Sequence, residues 1–311
     1  MDYVITGGAG YIGGHIVDSL AEGNNVTVID DLSSGHHTNP NATLLKVDLS
    51  NGKATDEVRL ERGCTMLHLA ANPNVRTSML DVRRHFEQDV TGTLNALELA
   101  RRHDASKFVF ASSSVVYGEA RKVPTPEKYR TKPVSNYGLF KLFGEELVER
   151  YSTDYGIKAV SLRLANVIGG RASHGIIPDF MEKLRSNPTR LEILGDGKQR
   201  KSYVYINDVI HAVTLLSGKT HMRHMRVNVG SDDSISVDEI AEIICKNMGL
   251  SPEYAYRNNL NGRGWKGDVR VMLLDNKKLR GLGWSPEKSS REAVETAVND
   301  LLHGSTIAGK Q

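Results

Sequence analysis

The stretch DYVITGGAGYIGG, residues 2–14, decides the fold of this chain. Its first five residues are typical of a short buried strand, and the glycine-rich segment that follows predicts a tight turn. Apolar side chains then recur at helical spacing, at Ile12, Ile16, Val17 and Leu20. A strand, a glycine turn and a helix start suit the pyrophosphate of a dinucleotide, because glycine permits close backbone approach and a helix N-terminus offers free N–H groups.

A second strand-like run, residues 26–29, ends in the acidic residues Asp30 and Asp31. The glycine spacing is Gly-x-x-Gly-x-x-Gly rather than the commoner Gly-x-Gly-x-x-Gly, so the loop alone also fits an ordinary strand–helix turn. An acidic residue after the second strand accepts hydrogen bonds from the ribose hydroxyls and repels a 2′-phosphate. The pattern therefore favours NAD over NADP.

Strand-like and helical segments continue to alternate, which predicts an α/β fold of the Rossmann type with a doubly wound parallel sheet. The further strands are expected at residues 44–47, 65–69, 107–111 and 158–163, with helices at 86–102 and 139–155. Small or polar residues follow the strands: Asp48, Ala70-Ala71-Asn72, Ser112-Ser113-Ser114 and Asn166. Because such sheets bind ligands at the carboxyl ends of their strands, we expect cofactor and substrate there.

The regular alternation weakens after Gly169-Gly170, where a more polar region begins. We expect an NAD-binding Rossmann domain over residues 1–168 and a smaller C-terminal α/β substrate-binding domain over residues 169–311. Strands of the smaller domain are expected at 191–194 and 202–206. Part of 203–230 is expected to return to the main sheet, because residues 227–229 form another strand-like run.

Composition excludes several classes of protein. The 311 residues carry a net charge of +3 with 25% charged residues, too balanced for a nucleic-acid-binding protein. The two cysteines, Cys64 and Cys245, match neither a disulfide framework nor a metal motif. No apolar run reaches about 18 residues, and the predicted fold starts at residue 2 without a signal peptide. We therefore expect a cytoplasmic protein that binds neither membrane nor nucleic acid.

The histidines invite a metal interpretation, above all His36-His37 and the pair His221 and His224. Neither pair has a cysteine or a carboxylate set at ligand spacing, so histidines on surface loops are the favoured interpretation. We expect no metal site.

Tyr137 and Lys141 are separated by one helical turn and would share a helix face. An ammonium beside a phenol favours the phenolate, so we expect Lys141 to lower the pKa of Tyr137. Such a tyrosine can take and return a proton, which suits oxidation and reduction at a hydroxyl-bearing carbon. The spacing also occurs by chance in a chain of this composition, so its context must decide.

Four motifs in order carry a resemblance to extended short-chain dehydrogenase/reductases: TGGAGYIG at 6–13, SSSVVYG at 112–118, the Tyr137–Lys141 pair and RLANVIG at 163–169. Within that superfamily the chain most resembles UDP-glucose 4-epimerases. The similarity continues through RKSY at 200–203, GWKGD at 264–268 and LGWSP at 282–286, and so covers essentially the whole chain.

The resemblance implies roles for individual residues. Tyr137 would be the acid/base, Lys141 would bind the nicotinamide ribose and tune Tyr137, and Ser113 would hydrogen-bond the reacting oxygen. The implied NAD-binding residues are Gly7, Gly10, Tyr11, Ile12, Gly13, Asp30, Asp31, Ser34, Gly35, Asp48, Leu49, Leu69, Ala70, Ala71, Tyr137 and Lys141. The implied substrate-binding residues are Ser113, Asn166, Glu192, Leu194, Lys201 and Asp268. A plainer interpretation stays open for Ser113, as a turn cap, and for Asn166, as a loop-closing residue.

The implied reaction is 4-epimerisation of a UDP-hexose by transient oxidation. Loss of the O4 proton and of hydride from C4 gives a 4-keto sugar, and return of hydride to the opposite face inverts C4 and regenerates NAD. Related 4,6-dehydratases and UDP-glucuronate decarboxylases use acidic residues where this chain has Ser114 and Val115, and valine cannot move a proton. Another nucleotide-sugar epimerase or an oxidoreductase, acting on a UDP-N-acetylhexosamine or UDP-uronate, stays an alternative. A non-catalytic NAD-binding protein is disfavoured, because tyrosine, lysine and serine are all present.

Three positions bear on rate and specificity within this resemblance. Asn74 stands where many epimerases have a lysine near the nicotinamide, and Asp89 replaces a common asparagine. Met272 falls near the position that gates the hexose pocket, and methionine is flexible enough to leave N-acetylated sugars undecided.

The resemblance also implies a homodimer. The family usually dimerises through helices that correspond here to residues 79–103 and 136–153. Their apolar residues could form such an interface or belong to the core: Leu94, Leu97, Leu139, Phe140 and Phe143.

Overall fold

The computed structural model describes residues 1–219, 223–258 and 260–304. Its strands are β1 (Asp2–Thr6), β2 (Asn25–Asp30), β3 (Ala42–Lys46), β4 (Thr65–His68), β5 (Lys107–Ser113), β6 (Lys158–Leu164), β7 (Asn166–Ile168), β8 (Arg190–Leu194), β9 (Arg200–Lys201), β10 (Tyr203–Tyr205), β11 (His224–Val229), β12 (Ile235–Ser236), β13 (Glu253–Arg257) and β14 (Val271–Met272). Its α-helices are α1 (Tyr11–Ala21), α2 (Gly52–Glu57), α3 (Val82–Phe86), α4 (Gly92–Arg102), α5 (Asn136–Tyr155), α6 (Ile176–Ser186), α7 (Ile206–Lys219), α8 (Val237–Met248), α9 (Lys277–Arg280) and α10 (Ser290–His303).

The first of two compact units comprises Met1–Gly118, Arg130–Leu164 and Ile210–Val227. It contains a seven-stranded sheet in the order β11-β6-β5-β4-β1-β2-β3. The pairs that join β3, β2, β1, β4, β5 and β6 are all parallel. The predicted Rossmann-type α/β fold is therefore confirmed.

The register of the sheet aligns the strand ends that matter for ligand binding. Thr6 at the end of β1 lies beside Ile29 of β2 and His68 of β4. Beneath this edge, apolar side chains of the sheet such as Phe108 pack with Leu97 of α4 and Val148 of α5 in one buried cluster. Burial of this apolar surface fixes the helices on the sheet. The segments that follow β1, β2 and β4 are therefore held side by side at the same edge of the sheet.

The second unit comprises Glu119–Tyr129, Ala165–Val209 and Asn228–Gln311. Its sheets are small: β7 pairs with β10, β8 pairs with β13, and β9 lies between β12 and β14. A buried cluster that includes Phe180 of α6, Ile244 of α8 and Val294 of α10 forms its core.

The two units differ from the predicted domains 1–168 and 169–311. The division falls between Leu164 and Ala165, and Glu119–Tyr129 belongs to the second unit although residues 1–168 were all expected in the first domain. Two backbone hydrogen bonds explain this grouping, since Thr125 N donates to Leu273 O and Thr125 O accepts from Asp275 N. Ile210–Val227, inside the segment expected to return, belongs to the first unit.

Two predicted elements are interrupted in the structure. The expected helix over 86–102 includes a π-helical turn, Glu87–Thr91, between α3 and α4. The expected strand over 202–206 is the shorter strand β10, which leads directly into α7. Short strands and a change of helical period leave no clear trace in hydrophobic spacing.

Residues 1–219, 223–258 and 260–304 contain neither a helix suited to span a membrane nor a cluster suited to hold a metal ion. No helix in these ranges combines the length and the apolar character needed to cross a bilayer. The same ranges contain no cluster of three or more His, Cys, Asp or Glu side chains arranged to hold a metal ion. His37 bonds instead to Asp18 at 2.8 Å, and His221 lies outside the described residues.

Candidate active site

The glycine loop between β1 and α1 leaves no room for side chains at two positions. A Cβ on Gly7, whose φ is +70°, would lie 2.6 Å from the backbone nitrogen of Ala70, and a Cβ on Gly13 would lie 2.1 Å from Gly7 O. Gly10 is the N-cap of α1 and supplies no side-chain cap. The first N–H groups of α1 can therefore receive an anionic group, as the pyrophosphate of NAD requires.

Asp30 at the end of β2 is bound to this loop. Its carboxylate accepts hydrogen bonds from Ala9 N at 3.0 Å and Leu32 N at 2.8 Å. Burial raises the pKa of Asp30, and these two N–H groups oppose the rise. Each oxygen keeps a free lone pair, so the carboxylate fits the predicted contact with the adenosine ribose.

Other predicted cofactor residues surround the loop. The Asp31 carboxylate accepts from Ser33 N and Oγ, and the following Ser34-Gly35 segment passes so close that a Cβ on Gly35 would lie 2.2 Å from Ala9 O. Asp48 forms a local turn with Ser50, whereas the side chain of Leu49 joins the core. The expected adenine contact of Asp48 and Leu49 stays a prediction.

The segment after β4 is fixed by a buried histidine. Thr6 Oγ1 bonds to His68 Nδ1 at 2.7 Å, and His68 Nε2 lies 3.0 Å from Thr93 Oγ1. Since the Thr93 hydroxyl donates its single proton to Asp89 O, Nε2 must carry the imidazole proton and Nδ1 must accept. Burial lowers the pKa of His68 to about 3, so the ring is neutral. Leu69 N and Ala70 N bond to Thr6 O and Oγ1, which holds the predicted cofactor segment Leu69, Ala70 and Ala71 beside the glycine loop.

Helix α5 carries the predicted acid/base pair. Ser135 caps its N-terminus by accepting from Gly138 N, and the helix then presents Tyr137 and Lys141 on one face. Lys141 Nζ donates to Ala111 O at 2.8 Å and lies 5.7 Å from the centre of the Tyr137 ring. The buried ammonium is therefore fixed between strand β5 and the phenol.

Burial is the main cause of the pKa shifts at this pair. Burial raises the pKa of Tyr137 above its usual value, and the Asp89 carboxylate acts in the same direction. Burial lowers the pKa of Lys141, which Asp89 opposes. Desolvation is the largest influence on the pKa of the Tyr137 phenol, and the expected effect of the Lys141 ammonium on that pKa stays a prediction.

Ser113 ends β5 and begins the 3-10 turn Ser114–Tyr117. Its Oγ accepts from Val115 N at a long 3.4 Å, so the capping interpretation left open by the sequence has support. That contact uses one acceptor site only, and the hydroxyl proton stays available for a reacting oxygen.

The buried ion pair of Glu145 and Arg163, beside Ser112 near the end of β5, was not predicted from the sequence. Glu145 accepts from Ser112 Oγ at 2.5 Å, from Arg163 at 2.9 and 2.6 Å, and from Arg226 at 3.1 Å. Glu145 lies two helical turns after Tyr137 on α5, which is the signal that could have revealed it. The pair ties α5 to β5 and β6, and so fixes Tyr137 relative to the strand that carries Ser113.

The second unit contains the other predicted substrate residues. Lys201 Nζ bonds to Asp268 Oδ1 at 2.6 Å and lies 5.2 Å from the ring of Trp265, while Asp268 Oδ2 accepts from Gly264 N at 3.0 Å. Asn166 Nδ2 bonds weakly to Ser202 O at 3.4 Å. Lys201 and Asp268 are thus brought together, and the ammonium is already paired before any phosphate binds.

Glu192 and Leu194 lie on β8. Glu192 pairs with Arg257 of β13 at 2.7 Å on a partly exposed surface. Leu194 faces Gly264, on which a Cβ would be in ordinary contact with Leu194 Cβ at 3.5 Å. Leu194 therefore lies near the Asp268 segment, whereas Glu192 makes its contact on β13. Met272 is the register partner of Lys201, on β14.

The sequence matches the NAD dependent epimerase/dehydratase family over residues 3–230. The chain belongs to this family. It is 36% identical to a putative UDP-glucose 4-epimerase of Methanocaldococcus jannaschii over 95% of this chain and 97% of that protein. It is similar to the solved UDP-glucose 4-epimerase of Thermotoga maritima with UDP-glucose, with a TM-score of 0.88, 32% identity and coverage of 97% and 99% of the two chains. It is also similar to the Thermus thermophilus UDP-glucose 4-epimerase in complex with NAD, with a TM-score of 0.86, 30% identity and coverage of 98% of this chain and 100% of that chain.

The family assignment confirms the predicted resemblance and makes NAD the cofactor. The residues present fit this group: the glycine cradle, the uncapped start of α1 and the Asp30 carboxylate lie together at the end of β1 and β2. The roles of the individual residues stay proposals.

Proposed function

We propose that this protein catalyses the NAD-dependent 4-epimerisation of a UDP-hexose, interconverting UDP-glucose and UDP-galactose. The observation that carries the proposal is the arrangement of Tyr137 and Lys141 on one face of α5, fixed to the end of β5 that bears Ser113. UDP-glucose 4-epimerases are among the relatives that match nearly the whole chain.

In this reaction Tyr137 takes the proton of the sugar O4 hydroxyl and later returns it. Ser113 donates a hydrogen bond to the same oxygen, and Lys141 holds the nicotinamide ribose and favours the phenolate. NAD, when bound, accepts and returns a hydride, chemistry that no side chain supplies, and its nicotinamide ring adds a positive charge. The Glu145 ion pair joins α5, which carries Tyr137, to β5, which carries Ser113, and so supports the position of both side chains.

Further residues would hold the cofactor and the nucleotide. The proposed NAD-binding set is Gly7, Gly10, Tyr11, Ile12, Gly13, Asp30, Asp31, Ser34, Gly35, Asp48, Leu49, Leu69, Ala70 and Ala71. For the UDP moiety we propose Asn166, Glu192, Leu194, Lys201 and Asp268. Anchoring through UDP would allow the keto sugar to turn over before reduction, which inverts C4.

The 3-10 turn after Ser113 disfavours two other reactions of this family. Dehydration and decarboxylation need an additional acid or base, and Val115 in this turn cannot ionise. The chemistry proposed at C4 needs one proton-transfer group only, which Tyr137 provides.

A homodimer and a cytoplasmic location belong to the same proposal. Apolar side chains are exposed on the helices expected at the interface, including Leu80 at 84%, Phe86 at 43% and Phe143 at 40%. Leu94 is also partly exposed, whereas Leu97 and Phe140 are core residues. An apolar surface shared by α3, α4 and α5 is suited to self-association. Size-exclusion chromatography with light scattering at micromolar protein should give twice the chain mass, and a monomer would contradict the dimer.

The proposed activity is tested by proton NMR of the protein with UDP-galactose, first without and then with added NAD. UDP-glucose should appear, and Tyr137→Phe should reduce the rate at least about 100-fold because the proton-transfer group is lost. Tyr155→Phe is the matched control, since Tyr155 is exposed near the end of the same helix. Full turnover by Tyr137→Phe would overturn the assigned base, and no conversion by the wild type with NAD would overturn the UDP-hexose assignment.

A further inference from the structure

A buried carboxylate lies next to the proposed acid/base pair. Asp89 stands in the π-helical turn between α3 and α4, and its side chain is 1% exposed. Its Oδ1 accepts from Asn72 N at 2.7 Å, immediately after the proposed cofactor residues Ala70 and Ala71. Asp89 therefore binds directly to the segment that follows β4.

The second oxygen of Asp89 faces a histidine without forming a hydrogen bond. His85 Nδ1 lies 3.6 Å from Asp89 Oδ2, and both atoms are buried without a hydrogen-bond partner among the described residues. This distance is too long for a hydrogen bond but allows an ion pair. The carboxylate is thus held through Oδ1, whereas its negative charge is not used in a hydrogen bond at Oδ2 within the described part of the chain.

The same pair is connected to Tyr137. His85 Nε2 bonds to Thr77 Oγ1 at 2.9 Å, and the next residue, Ser78, accepts at its Oγ from Tyr137 N at 3.1 Å. Asp89 and His85 thus join the segment after β4 to the N-terminal turn of α5.

The charges around Asp89 define what it can do. The titratable groups that interact electrostatically with Asp89 are His85, one helical turn earlier in the chain, and Lys141 on α5, and Asp89 in turn acts on Lys141 and Tyr137. In NAD the positively charged nicotinamide ring would be repelled by the Lys141 ammonium, and the negative charge of Asp89 would offset this repulsion. NADH carries no such ring charge, so the carboxylate would favour the oxidised over the reduced cofactor.

We propose that Asp89, held by His85 and Asn72, is a specificity-determining residue that makes this protein bind NAD in preference to NADH. The inference rests on the proposed function in taking NAD to lie against Lys141. Asn74 would also favour NAD over NADH. It is neutral, whereas the resemblance would place a lysine, and so a second positive charge, at this position.

The test is the ratio of the dissociation constants of NAD and NADH, measured by isothermal titration calorimetry at pH 7.5. Asp89→Asn keeps an acceptor for Asn72 N and removes the charge. The ratio Kd(NAD)/Kd(NADH) should rise about 5- to 10-fold in this variant. Glu87→Gln is the matched control, because Glu87 is exposed on the same π-helical turn, and its ratio should equal that of the wild type.

If Asp89 had a purely structural role, Asp89→Asn would weaken the binding of NAD and of NADH by the same factor. That result would overturn the inference. His85→Gln is the second variant. Burial raises the pKa of Asp89, and His85 opposes this rise. Replacing His85 should therefore favour the neutral form of Asp89 and raise Kd(NAD)/Kd(NADH), as Asp89→Asn does. The double variant should show no larger rise than Asp89→Asn; an unchanged ratio in both single variants would contradict the proposal. If the wild type bound neither cofactor, the proposed function would fail instead.

Discussion

The Glu145 ion pair gives the sharpest prediction about stability. Glu145 is fully buried and Arg163 is nearly so, while four hydrogen bonds converge on the Glu145 carboxylate from Ser112, Arg163 and Arg226. Glu145→Gln keeps the side-chain volume but leaves the Arg163 charge buried without a carboxylate. Removing one partner of a buried pair typically lowers the free energy of unfolding by about 3–5 kcal/mol. With an unfolding entropy of about 2.1 cal/mol/K per residue over 311 residues, Tm should fall by about 5–8 °C.

The adjacent residue provides the control. Glu146 is 61% exposed and pairs with the Arg226 guanidinium at 2.8 Å. Glu146→Gln should therefore lower the free energy of unfolding by less than about 1 kcal/mol, which corresponds to less than roughly 1.5 °C in Tm. Both variants are compared by thermal unfolding at pH 7.5 and by urea denaturation. If Glu145→Gln were within about 1 kcal/mol of Glu146→Gln, the claim that this pair fixes α5 to the sheet would be refuted.

Two further predictions concern the glycine loop and the buried histidine. Gly13→Ala should abolish NAD binding in calorimetry, because its Cβ would clash with Gly7 O. Gly23→Ala is the control: a Cβ there meets no atom of the described residues within 4 Å, so this variant should bind NAD as the wild type does. Equal affinities of the two variants would contradict the proposed role of the glycine loop. Burial lowers the pKa of His68 to about 3, so acid protonates the unfolded state first and the stability present above about pH 6.5 is lost as the pH falls toward 3. His68→Gln should reduce the slope of unfolding free energy against pH between 4 and 6 by up to about 1.4 kcal/mol per unit, and an unchanged slope would mean that His68 is not buried neutral.

The parts of the fold predicted from sequence are those encoded locally. The strand, glycine turn and helix of residues 2–14 lie within one short segment, and the alternation of strands and helices is repeated along the chain. Both signals depend on the spacing of residue types along the chain, which can be seen in the sequence without the structure. The fold class and the family were therefore predicted, and the matching family confirms them.

The parts that could not be predicted depend on contacts between distant residues. Glu145 meets Arg226 across 81 positions of the chain, and Thr125 bonds to segments near residue 274. The pKa of Tyr137 depends on burial and on Asp89, neither of which the Tyr137–Lys141 spacing contains. The candidate residues could be named by resemblance, but their electrostatics required the packed structure.

The central claim, transient oxidation at C4, is tested most directly with UDP-galactose that carries deuterium at C4 of the hexose. The protein is incubated with this substrate in ordinary water, and the UDP-glucose formed is analysed by NMR and mass spectrometry. The account predicts UDP-glucose that retains its deuterium at C4, because the hydride that leaves the sugar is the one that returns. Product with hydrogen from water at C4, or no product at all, would contradict the account.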